Sequence, residues 1–142
     1  MTTWDALEHS LAKCLRMLQE DQYLVIGTSD RYVQFAGLNG GAVRAEAISG
    51  RFAAETDSPL SDRDSVALST LGWHLPDDSD DTPNFFADYA VPVNFTGAAS
   101  LAITTLRLIF EIESPGLLRY TAGSFDGEYL VFDELGIARE EA

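Results

Sequence analysis

The chain predicts an α+β fold, a twisted antiparallel sheet of three to five strands flanked by helices in the order α-β-β-β-α-α-β-β. Three observations carry this expectation. Apolar residues near the start recur at steps of three and four, short alternating runs between Tyr23 and Ile48 are broken by turn residues, and helical spacing returns from Thr96 to Glu113. The first and third signals are helices and the second is a sheet.

Trp4, Leu7, Leu11, Leu15 and Leu18 share one face of a first helix that Thr3 can cap. Glu20-Asp21-Gln22 favours a turn, and the β-branched and aromatic run Tyr23-Leu-Val-Ile26 then reads as a strand. Thr28-Ser-Asp30 turns the chain into Arg31-Tyr-Val-Gln-Phe-Ala-Gly37. There Val33 and Phe35 point to one side of a strand, and Tyr32, Gln34 and Ala36 point to the other. Asn39-Gly40-Gly41 is a hairpin signal, after which Val43, Ala45 and Ala47 oppose Arg44, Glu46 and Ile48. Arg51-Phe-Ala-Ala54 is expected either to extend this sheet or to end it.

Ser61, followed by Asp64, opens a second helix with Leu60, Ala67, Leu68 and Leu71 on its apolar side and Gly72 as its stop. Residues 74–83, with four aspartates and two prolines, predict a solvated acidic loop. In the third helix, Leu101, Leu108 and Ile112 share a face while Ile103, Leu106, Ile109 and Phe110 fill much of the rest. Such a helix must be covered on more than one side, by the sheet or by another subunit. Past Pro115-Gly116, Leu117 to Ala122 and Glu128 to Phe132 predict extended segments separated by Asp126-Gly127. Leu135-Gly-Ile137 tucks in the end, and the acidic tail 138–142 is expected to fray.

The 142 residues fit a single domain, 1–142, large enough to stand without a metal or disulfide staple. The one cysteine, Cys14, has no partner and suits a reducing cytoplasm. No apolar run is long enough to span a bilayer and no N-terminal segment reads as an export signal, so the chain is expected to be soluble and unexported. With 23 acidic against 9 basic side chains, the formal charge of −14 repels nucleic-acid phosphate and anionic lipid. Neither nucleic acid nor membrane is therefore expected as a partner, whereas basic or amphipathic polypeptides are compatible.

Bond-making chemistry finds no foothold. His9 and His74 sit in no metal-ligand pattern and beside no nucleophile signature, and Gly37-Leu-Asn-Gly-Gly41 joins two strands without opening a helix. Asp77, Ser79, Asp81 and Asp88 fit positions of a calcium-loop count, but Thr82 stands where that loop needs glycine and Pro83 follows it. No catalytic residue, metal or cofactor is assigned.

The ordered pieces Tyr32-Val-Gln-Phe-Ala-Gly37, Ala45-Glu46-Ala47, Leu71-Gly-Trp73 with Pro76, Asn84-Phe85, Thr105-Leu106-Arg107, Leu118, Tyr120 and Leu135-Gly136 resemble actinobacterial members of the type III secretion chaperone-like and YbjN-like superfamily. The resemblance runs over nearly the whole chain. It implies helices flanking a twisted antiparallel sheet, often in a homodimer, in a cytoplasmic protein that holds a segment of another polypeptide, such as a secreted effector. The chain departs from the pattern at Phe110-Glu111-Ile112, where a more polar, glycine-containing helix end is usual, and in the acidity after Trp73.

On this reading a partner polypeptide docks on an exposed sheet edge or in an apolar groove. The candidate contacts are Tyr32, Gln34, Phe35 and Glu46 on the sheet, with Trp73, Phe85 and Phe86 beside it. Each has a plainer alternative: core packing for the rings and an ordinary solvated face for the polar residues. A different class of function is an acidic immunity or inhibitor protein that blocks a basic enzyme by charge complementarity, with steep salt dependence.

Overall fold

A computed structural model describes residues 2–48, 61–76 and 84–140. Thr3 caps α1 (Trp4–Met17), its hydroxyl oxygen accepting from the Ala6 N–H at 3.1 Å, and Leu7, Leu11, Cys14 and Leu15 form the buried stripe. The chain then runs antiparallel through β1 (Gln22–Gly27), β2 (Tyr32–Gly37) and β3 (Val43–Ala47). The β2–β3 connection at Asn39–Gly41 closes with the Leu38 N–H donating to the Ala42 carbonyl at 2.8 Å.

Glycine at position 37 has a steric cause. A Cβ there would lie 2.1 Å from the carbonyl oxygen of Gln19, in the link between α1 and β1, while the Gly37 carbonyl accepts from the Asp21 N–H. Close passage of two backbones leaves no room for a side chain.

Ser61 caps α2 (Asp62–Leu71) through the Asp64 N–H, and the helix stops at Gly72, whose φ of 130° suits glycine. Only Leu68 of this helix is buried; Leu71 is exposed and Leu60 lies outside the described residues, as do Arg51 to Ala54 and most of the acidic loop. The chain continues into β4 (Phe85–Tyr89), antiparallel to β3, a strand the sequence did not predict.

Helix α3 (Phe95–Thr104) runs into a π-helical turn, Thr105–Ile109, and ends there, short of the expected Glu113. Glu111 adopts φ 56°, the left-handed conformation that glycine takes most readily. Leu108, within that turn, is largely exposed, so this segment is not apolar-packed all round. After β5 (Arg119–Ser124), the expected second extended segment forms only a single bridge, Tyr129 to Gly123. The tail does not fray at its start: β6 (Ala138–Arg139) pairs parallel to β5.

The sheet order is β4-β3-β2-β1-β5-β6, and its register sorts residues cleanly by face. One row runs Ala87, Ala45, Phe35, Leu24, Ala122, and the next runs Phe85, Ala47, Val33, Ile26, Tyr120. All ten side chains are buried, in one core with the apolar stripes of α1, α2 and α3. The architecture is therefore α+β, a mostly antiparallel open sheet with helices layered on one face.

Candidate functional site

Alternation sends the complementary rows to the other face. Asp88, Arg44, Ala36, Tyr23 and Gly123 form one row, and Phe86, Glu46, Gln34, Val25 and Thr121 form the next. Apart from buried Gly123, these positions are half-buried or exposed, so among the described residues no element lies over this face.

Tyr32, Gln34, Glu46 and Phe86 stand on this outer face, as the sequence places the first three. Phe35, Trp73 and Phe85 do not. Each is no more than 3% exposed, and their rings belong to the core, so they support the sheet without being offered to a partner. Phe35 and Phe85 lie in the inward rows, and Trp73 turns inward just past α2, its indole N–H donating to the Thr105 hydroxyl at 2.9 Å. The seven-residue candidate set thus divides by strand parity and by the turn after α2.

The outer face is structured by four local contacts. Arg44 grips Asp88 with two hydrogen bonds, 2.6 and 2.9 Å, from neighbouring strands, and its guanidinium lies 5.0 Å from the centre of the Phe86 ring. That grip holds the Asp88 carboxyl below its usual value and raises Arg44 above its own. Phe86 also stacks against His74, ring centres 5.1 Å apart. At the opposite side Phe125, 69% exposed, leans on Tyr23 with ring centres 5.3 Å apart.

Between them lies a shallow trough. One depression of about 370 Å³ is lined by Tyr23, Val25, Gln34, Phe35, Ala36, Glu46 and Phe125, Phe35 contributing to its floor while only 1% exposed. A second, of about 500 Å³, includes Val25, Tyr32, Thr121 and Arg119. Both share Val25, which makes them neighbours across the middle of the sheet. Tyr23, Val25 and Phe125 were missed from the sequence. Alternation within Tyr23-Leu-Val-Ile26 could have separated Tyr23 and Val25 from the buried Leu24 and Ile26, but nothing local marks Phe125 as a ring folded back over the sheet.

The sheet edges offer less than the sequence suggested. The outer side of β5 is occupied by the returning chain: Leu130 N–H donates to the Ala122 carbonyl at 3.0 Å, Ser124 N–H to the Glu128 carbonyl at 2.8 Å, and Glu140 N–H to the Tyr120 carbonyl at 2.7 Å. On β4, Phe86 and His74 exchange both backbone hydrogen bonds, at 2.8 and 3.2 Å. A foreign strand adding at either place must first displace these bonds.

Among the described residues no three His, Cys, Asp or Glu side chains gather as a metal-binding set, and no helix is long and apolar enough to cross a membrane. Comparison with curated proteins and with solved structures gives no significant match. A family model does match residues 1–124, a span that ends with β5 and contains every helix described above. The chain belongs to that family, the T3SS (YopN, CesT) and YbjN peptide-binding chaperone 3 family.

Proposed function

We propose that this protein is a non-enzymatic chaperone or adaptor that holds an extended segment of a partner polypeptide against the outer face of its sheet. The observation that carries the reading is the asymmetry of that sheet: helices seal one side, while the other presents Tyr23, Val25, Tyr32, Phe86 and Phe125 around a polar strip of Gln34 and Glu46. Aromatic side chains provide large contact area at small cost in rotamer entropy. Membership in a peptide-binding chaperone family supports the same reading. Cys14, buried and unpaired, suits a cytoplasmic setting.

Face docking is favoured over strand addition because the outer side of β5 is covered by β6 and the returning chain, and β4 already carries the His74 bridge at Phe86. A photo-crosslinking amino acid placed at Gln34 should capture bound peptide, and the same group at Arg63 on α2 should not. Equal capture at both positions, or capture at Arg63 alone, would refute docking on the outer face.

A further inference from the structure

Resting on the reading of the outer face, we infer that the segment it takes has an apolar residue next to a basic one: an apolar side chain seats against Tyr23, Val25 and Phe125, and an adjacent lysine or arginine enters the carboxylate-lined corner beside them. The trough has two unlike ends. Where β1 begins and β5 ends, Glu20, Asp21, Asp126 and Glu128 line a depression of about 560 Å³ that shares Phe125 with the apolar depression.

The corner is a fixed part of the fold. Phe125 N–H donates to the Asp21 carbonyl at 2.9 Å, and Ser124 N–H to the Glu128 carbonyl, which ties both acidic turns to the end of the sheet. The Ser124 hydroxyl and the Glu128 N–H hold the Asp126 carboxyl below its usual range. Among the described residues the one ion pair is Arg44 with Asp88, so no described cation neutralises these four carboxylates. The whole chain adds to the field, with a formal charge of −14. An acidic segment entering this corner meets repulsion, and a neutral one leaves the charge unanswered.

The test uses the full chain and labelled twelve-residue peptides that share one apolar pattern and differ only in flanking residues, lysine, glutamine or glutamate, read by fluorescence anisotropy. At low salt the lysine peptide should bind at least tenfold tighter than the glutamine peptide, and the glutamate peptide weakest. Glu20→Gln/Glu128→Gln should shrink that advantage to about threefold or less. Asp62→Asn/Asp64→Asn on α2, which removes the same amount of charge elsewhere, should leave it nearly intact. Equal loss in both double variants would assign the preference to net charge and overturn the corner. Equal binding of all three peptides would overturn the inference while leaving face docking in place, and binding of none would sink both.

Discussion

The indole N–H of Trp73 donates to Thr105 Oγ1 at 2.9 Å, and the same hydroxyl donates to the Leu101 carbonyl at 2.7 Å. Thr105 is fully buried, and this chain of two bonds locks the end of α2 to the start of the π-helical turn after α3. Thr105→Val keeps the shape and leaves the indole N–H without an acceptor. It should lower stability by about 1–3 kcal/mol. In chemical denaturation, adding Trp73→Phe to that variant should cost less than Trp73→Phe does alone, because the orphaned donor is gone.

Core and face candidates separate by their effects. Phe35→Ala empties an inward site and should destabilise the protein by roughly 3–5 kcal/mol. Tyr32→Ala and Phe125→Ala, on the outer face, should change stability by less than about 1 kcal/mol yet weaken peptide binding. Thermal melts run beside anisotropy titrations distinguish the two classes.

Gly37→Ala should be among the most damaging small substitutions, since the added methyl meets the Gln19 carbonyl oxygen of the α1–β1 link. A loss of roughly 2 kcal/mol or more is expected from forced backbone displacement. A melting temperature equal to that of the parent would show that the link yields freely.

Glu111→Gly should do the reverse. At φ 56° the glutamate backbone occupies a conformation that glycine reaches without a Cβ clash. A gain of about 0.5–1 kcal/mol is expected, offset in part by the greater freedom of glycine in the unfolded chain. Denaturant midpoints of the two proteins decide the sign.

Burial, and then the neighbouring Glu134 carboxylate, push the Cys14 thiol up to about 12 from an ordinary 9.0. The folded state thus holds this proton more tightly than the unfolded chain does. Its contribution is complete below pH 9 and is lost as pH rises from about 9 towards 12. Denaturation midpoints should fall over that alkaline range, less steeply in Cys14→Ala. Thiol reagents should be slow with the native protein at pH 8 and fast once it is unfolded.

Much of the architecture was legible in local sequence. Thr3 and Ser61 cap helices through their own side chains, the α1 stripe follows helical spacing, and alternation along Tyr32–Gly37 and Val43–Ala47 assigned faces correctly. β4 escaped because its five residues follow an acidic, proline-bearing stretch of sequence and gain strand character from pairing with β3, a partner remote in sequence. β6 escaped for the same reason: two residues become a strand only because β5 lies beside them.

By itself the sequence determined an α+β domain with strong acidity, a two-faced sheet and ordered motifs that resemble a chaperone family, because periodicity, capping and charge are local properties of the chain. Only the tertiary structure decided which aromatic rings are available. Phe85 and Phe86 are adjacent and chemically alike, yet register against β3 sends one into the core and the other to the outer face. Trp73 is drawn inward by a hydroxyl 32 residues away. Exposure depends on what packs against a residue, and those neighbours are fixed by pairings that no local pattern encodes.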